Sequence, residues 1–225
     1  MKLERKIFKK AIQEILSKKG TDEVLSEAAF PAYAHKNPLI DYIFWKRLKI
    51  VANYINVRKD RKINVLDFGC GSGVFSYALA SKGSDVTAID LNLKPVTILS
   101  EKIKFPENIN FIEDDIFKIN FKGNKFDYIV ALDVLEHIPI SELDNYLELF
   151  INILKENGEI IISGPTENLI YKIGRKLAGS DFTGHYHETN IVKIKEVFLH
   201  KCKVDVLSKI FWPITLFEVF VTKKK

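Results

Sequence analysis

Over residues 62–163 the chain alternates between short apolar runs suited to strands and segments suited to helices, and this rhythm restricts the fold more than any other feature. Strands are expected at 63–68, 85–90, 109–112, 126–132 and 159–163, and helices at 73–81, 95–104 and 141–154. Pro95 suits a first helical turn, where its missing N–H costs nothing, and Ser141 is a candidate helix cap. Repeated strand–helix units make successive strands parallel and cover both sheet faces with helices. The end of the chain breaks the rhythm. Segments 204–210 and 216–222 read as strands joined by a turn at Trp212-Pro213, too short for a parallel crossover, so they pair antiparallel. An α/β sheet, mostly parallel and closed by an antiparallel hairpin, is the expected architecture.

Ahead of the sheet, Ile7, Ala11, Ile15 and Leu16 keep helical spacing until Lys19-Gly20 stops them. A second helix is expected at 38–56, with Phe44, Leu48, Val51 and Ile55 on one stripe and Tyr42 and Trp45 off it. Residues 30–35 between them read as irregular. A helical cap over 1–61 and a ligand-binding domain over 62–225, with an inserted lid near 164–188, are the expected divisions. The net charge of +5 is dispersed, with much of the excess at the two ends, which reads as a solvated surface. Cys70 and Cys202 match neither a metal spacing nor a secreted disulfide framework. The N-terminal residues lack the apolar centre of a signal peptide, and no apolar run is long enough to span a bilayer. A soluble, cytoplasmic protein is expected.

The chemistry concentrates at the first strand-to-helix turn, Asp67-Phe68-Gly69-Cys70-Gly71-Ser72-Gly73. Glycines there permit a sharp turn and a close approach of backbone to ligand. A dinucleotide site wants a further glycine or an alanine where Val74 stands. Asp67 would repel a pyrophosphate but attract the ammonium and sulfonium of S-adenosylmethionine. The second strand ends in Asp90-Leu91 and the third in Glu113-Asp114-Asp115-Ile116. Acids at three consecutive strand ends converge on one crevice at the carboxyl edge of the sheet, where Asp90 can bind both ribose hydroxyls.

These segments, LDFGCGSG, TAIDLN, FIEDDIF and FDYIVALDVLEHI, with LKENGEIIIS further on, resemble the ordered motifs of the class I S-adenosylmethionine-dependent methyltransferases. The resemblance covers roughly 62–163, and the closing hairpin fits that family's antiparallel last strand. It implies a Rossmann-like, doubly wound seven-stranded sheet and S-adenosyl-L-methionine as cofactor. By position, Gly69 and Gly71, helped by Asp67, line the methionine part. Asp90, with Leu91, holds the ribose. Asp115, with Asp114, and Ile116 hold the adenine, and Leu132 offers backbone to the amino-acid end.

Methyl transfer is an in-line displacement, so the protein aligns, desolvates and, for a phenol or alcohol, deprotonates the acceptor. His137, in a DVLEH segment resembling small-molecule members such as ubiquinone-biosynthesis O-methyltransferases, stands at the correct edge to act as base. His185 and His187 form a second candidate pair. Asp133, Glu136 and His137 have a spacing that suits a divalent metal if their turn is helical, and the histidine pair needs further ligands to hold one; no metal ligand set is assigned. The lid carries Leu169, Ile170, Tyr171, Ile173 and Leu177 among basic residues, which suits a greasy acceptor and peripheral membrane contact. A small-molecule acceptor is the expected partner. A nucleic-acid acceptor fits less well because Leu132-Asp133-Val134-Leu135 lacks the Asn/Asp-Pro-Pro-aromatic element of base-modifying enzymes. A protein acceptor, a non-catalytic cofactor-binding protein and an NAD oxidoreductase are the further alternatives.

Overall fold

The computed structural model describes residues 2–19, 25, 30–35, 37–56, 62–121, 123, 125–168, 187–211 and 214–225. Helices α1 (Lys2–Lys19) and α2 (Pro38–Asn56), with a helical turn at Phe30–Tyr33 between them, precede the sheet. There follow β1 (Asn64–Phe68), α3 (Val74–Ala80), β2 (Asp85–Asp90), α4 (Lys94–Ser100), β3 (Ile109–Glu113) and β4 (Phe126–Leu132). The chain continues through α5 (Leu143–Ile153), β5 (Leu154–Pro165), α6 (Ile191–Lys201), β6 (Cys202–Ile210) and β7 (Phe217–Lys224). Short 3-10 turns occupy Ile116–Lys118 and Leu135–His137.

The seven strands run in the order β3-β2-β1-β4-β5-β7-β6. Pairings from β3 across to β5 are parallel, and β7 lies antiparallel to both β5 and β6. The expected hairpin is therefore present, and its second strand is the one that inserts beside β5. Central strands read as continuous apolar runs because both faces are covered. Val65, Tyr128, Val130, Ile161 and Val219 face one core with α1, α2 and α3. Leu66, Ile129, Ala131, Ile162 and Phe220 face the other, with α5 and α6.

Several local expectations shift. The buried stripe of α1 is Phe8, Ala11, Ile12 and Ile15, with Ile7 turned outward. Off-stripe Trp45 is buried as well, because its indole N–H donates to the Tyr33 carbonyl and its ring packs on Tyr33. Residues 30–33, expected to be irregular, form a helical turn. Ser141 does not cap α5, which starts at Leu143 without a side-chain cap bond. Asn190 does cap α6, accepting from the N–H groups of Val192 and Lys193. Strand β5 starts earlier than its expected five-residue run because Leu154 pairs with Phe126 across an irregularity in register. Most of the expected lid, residues 169–186, lies outside the described residues. Among the described residues, no helix is long and apolar enough to cross a membrane.

Candidate active site

Strand order reverses between β1 and β4, and in open α/β sheets the crevice at the carboxyl ends beside such a reversal is where ligands bind. The glycine loop after β1 occupies this place. Gly69 has φ +69°, and an added Cβ would stand 2.4 Å from a methyl carbon of Val134. Both the left-handed backbone and the contact exclude a side chain there. The N–H groups of Gly69 and Cys70 donate to the Ile89 carbonyl, and Gly71 N–H donates to Asp90 Oδ2 at 2.7 Å. Asp90 Oδ1 accepts from Asn92 N–H at 3.1 Å. Asp90 thus ties the loop to β2 while its carboxylate borders the cleft.

At the end of β3, Asp115 opens a 3-10 turn and accepts from Phe117 N–H at 3.0 Å. The resulting cleft, about 350 Å³, is lined by Gly69, Asp90, Leu91, Asp114, Asp115 and Ile116 on one side. The turn after β4 closes it with Val134, His137, Ile138 and Pro139, and Tyr146 of α5 adds an aromatic wall. Carboxylates interspersed with apolar and aromatic side chains suit a nucleoside, whose sugar is polar and whose base is flat.

Behind this wall sits a second cluster. Glu188 and Thr189 both donate their N–H groups to the Glu136 carbonyl, at 2.8 and 3.2 Å, and so fix the segment before α6 against the turn after β4. That staple sets the His137 and His187 rings edge to face, 5.1 Å between centroids. His187 Nδ1 is 2.5 Å from Glu167 Oε1. Glu136 is 2% exposed, and burial pushes its carboxyl well above the usual carboxylate range. Asp133, in a left-handed conformation with φ 57°, pairs with Arg47 of α2 and accepts from Ser163 Oγ at 3.2 Å. Arg47 is itself buried, its guanidinium 4.4 Å from the ring centres of both Phe44 and Phe217.

Residues 65–158 match the family model described as a methyltransferase domain. The ubiquinone biosynthesis O-methyltransferase of Rickettsia typhi is 32% identical over 130 residues, covering 55% of this chain and 47% of that protein. That of Coxiella burnetii is 28% identical over 123 residues, 54% of this chain and 50% of that one. The chain thus spans about half the length of the curated relatives it matches. Among solved structures, magnesium protoporphyrin IX methyltransferase of Synechocystis, with bound SAH, superposes with a TM-score of 0.64 at 17% identity, covering 97% of this chain and 100% of that one. The N-methyltransferase NodS of Bradyrhizobium japonicum, also with S-adenosylhomocysteine, reaches 0.64 at 14% identity, covering 95% and 98%. These two likenesses concern the fold. The chain is thus similar to methyltransferases in sequence over residues 65–158 and in fold over nearly its whole length.

Of the residues singled out from the sequence, Gly69, Asp90, Leu91, Asp114, Asp115, Ile116 and His137 line one cleft. Asp67 does not. It is buried beneath the loop, where its Oδ2 accepts from Ser76 Oγ at 2.5 Å, and burial raises its pKa to about 6. Gly71 and Leu132 each stand two residues from a cleft-lining residue, Gly69 and Val134, and do not line the cleft themselves. His187 meets His137 in the second cluster, and His185 lies outside the described residues. Burial pushes the Cys70 thiol up, which leaves it inert as a nucleophile. Arg47, Glu167 and the burial of Glu136 are not apparent from motifs. Arg47 did leave a signal: it sits three residues after Phe44 and four before Val51, a charge on an apolar stripe, and such a charge needs a buried partner.

Proposed function

We propose that this chain transfers the methyl group of S-adenosylmethionine to a small-molecule acceptor, a phenolic or quinone-like compound with a hydroxyl oxygen as nucleophile. The observation that carries the reading is the convergence of Asp90, Asp115 and Ile116 with His137 on a single cleft at the reversal of strand order. In this reading the Asp90 carboxylate receives the ribose hydroxyls, and Asp115 and Ile116 face the adenine. The sulfonium brings a methyl group on an excellent leaving group, so that as the oxygen–carbon bond forms the sulfur–carbon bond breaks. The chain then needs to orient the acceptor and take up its proton. In this reading His137, which lines the cleft, takes up that proton, with the His187 ring packed edge to face against it. His137 lies in the segment in which the chain resembles ubiquinone-biosynthesis O-methyltransferases, which supports a small acceptor.

The test combines calorimetry with S-adenosylhomocysteine and a screen of phenols and hydroquinones using methyl-labelled cofactor. Asp90→Ala loses charge-assisted bonds worth about 1.5–3 kcal/mol each, so affinity should fall at least about 10-fold. His137→Ala should lower that affinity less than Asp90→Ala does and lose turnover. Wild-type cofactor affinity in Asp90→Ala rejects the ribose assignment. Binding without label transfer to any small acceptor, but with transfer to nucleic acid or protein, rejects the acceptor class.

A further inference from the structure

We infer that Arg47 is a positioning residue: from α2 it holds Asp133 in a left-handed conformation and so fixes the turn that brings Val134 and His137 to the cleft. Its bearing on catalysis rests on the proposed methyl transfer; its hold on the turn does not.

Arg47 is 1% exposed, and a guanidinium taken out of water is retained only where its charge is met. Its central carbon sits 4.4 Å from the ring centres of both Phe44 and Phe217, and its Nη1 donates to Asp133 Oδ2. Phe44 and Phe217 themselves pack edge to face at 5.9 Å. One ring belongs to α2 and the other to β7, so the charge is located by packing against two elements. A lysine has no planar face to lie against such rings and no fork to aim at a carboxylate.

Asp133 directly follows β4, and its φ of 57° lies where an L side chain is disfavoured. Three bonds hold it there. Its N–H donates to the Ser163 carbonyl at 2.9 Å, its Oδ1 accepts from Ser163 Oγ at 3.2 Å, and its Oδ2 pairs with Arg47. The left-handed residue turns the chain sharply out of the strand. Val134 then lies over Gly69, and the N–H groups of His137 and Ile138 close onto the carbonyls of Val134 and Leu135 at 3.1 and 3.2 Å. Among the described residues, Asp133, Glu167 and Phe211 are the non-glycine residues with positive φ, and only Asp133 stands next to a cleft-lining residue. Such strain persists where the surroundings over-determine it, and it gathers at functional sites.

Without Arg47, the Asp133 carboxylate loses its charged partner, and at 25% exposure it can turn to water while φ relaxes. A relaxed turn carries His137 with it. Displacing a reacting group by about 1 Å costs on the order of 100-fold in rate.

The experiment separates geometry from charge by comparing Arg47→Met with Arg47→Met/Asp133→Gly and Arg47→Met/Asp133→Ala. Both double variants remove the stranded carboxylate, but only glycine takes a positive φ without penalty. The first readout is amide exchange at His137 and Ile138, set against Ile129 and Val130 of β4, which report the fold as a whole. In Arg47→Met the turn amides should quicken at least about 5-fold more than those of β4, the effect expected from losing the hold on a left-handed residue. The glycine double variant should exchange at least about 5-fold more slowly there than the alanine one. The second readout is turnover with a phenol or hydroquinone that the wild type methylates. In Arg47→Met kcat should fall about 10-fold to 100-fold, more than S-adenosylhomocysteine affinity does, and glycine at 133 should restore more of it than alanine. Where Arg47→Met does not fold, Arg47→Lys takes its place and should loosen the same two amides. Wild-type exchange of the turn amides in Arg47→Met overturns the inference. Equal recovery with glycine and alanine overturns it too, because stranded charge would then be the whole effect. A wild-type chain that methylates none of the acceptors, while its turn amides respond as expected, supports the hold of Arg47 and sinks the proposed methyl transfer instead.

Discussion

Replacing Gly69 with alanine puts a number on how tightly the cleft is built. The added Cβ would meet Val134 Cγ2 at 2.4 Å, Cβ at 2.7 Å and Cγ1 at 3.2 Å. The φ of +69° adds a separate penalty, since an L side chain in the left-handed region costs about 1–2 kcal/mol. Relieving the overlap by moving the loop or the turn after β4 costs about 1–3 kcal/mol on the usual scale for overpacked cores. Gly69→Ala should therefore destabilise the fold by about 2–5 kcal/mol in urea unfolding. Because Gly69 and Val134 both line the cleft, the same movement should weaken S-adenosylhomocysteine binding at least 10-fold. A double-mutant cycle separates the parts. Val134→Gly removes all three contacting atoms, so in that background only the backbone penalty of about 1–2 kcal/mol should remain. An equal cost for Gly69→Ala in both backgrounds would refute the steric account, and a cost below about 1 kcal/mol in the wild type would refute both parts.

Two further substitutions test buried charge. Asp67 has its pKa raised from 3.8 to about 6, chiefly by burial, so the folded chain binds more protons than the unfolded one between those values. Its contribution is present below pH 3.8 and is lost as pH rises through 6. The stability of Asp67→Asn relative to wild type should accordingly rise by about 2–3 kcal/mol from pH 4 to pH 7.5, measured by urea unfolding, and a flat difference would count against a buried, strained carboxylate. Arg47→Met keeps apolar contact with Phe44 and Phe217 but strands Asp133. Asp133 is 25% exposed and retains Ser163, so the loss should fall below the usual 3–5 kcal/mol for a broken buried pair, near 2–3 kcal/mol, and partly recover in Arg47→Met/Asp133→Asn.

What could be read from the sequence divides by how local the cause is. Strands β2 and β4 match their expected bounds, and β4 is buried along nearly its whole length, so its apolar run carries a strong signal. The antiparallel hairpin follows from loop length alone, but the insertion of β7 beside β5 does not, because it depends on which sheet edge is open. The ends of helices were the least legible. Ser141 has the right chemistry for a cap, yet the turn before α5 gives that place to Glu142. Within the site, residues that meet the cleft through their own strand end, Asp90 and Asp115, could be placed from spacing. Those defined by a partner far along the chain could not. Arg47 is 86 residues from Asp133, and Glu167 is 20 from His187, so their roles come only with the fold.

The turn at Leu135–His137 and the two residues flanking it join the cleft to the second cluster. Val134 presses on Gly69, His137 and Ile138 line the cleft, and the Glu136 carbonyl receives the segment that carries His187. Asp133, just before, ties the same turn through Arg47 to α2 and thus to the N-terminal helices. A turn bound on so many sides cannot shift toward one partner without leaving another, because packed and hydrogen-bonded groups have few alternative arrangements. The identity of residue 134 should therefore affect both sites at once. Val134→Gly should loosen the cluster as well as the cleft, seen as faster amide exchange at Glu188 and Thr189, the two donors to Glu136. Unchanged exchange at those two amides would show that the cleft wall and the histidine cluster are independent structures that happen to adjoin.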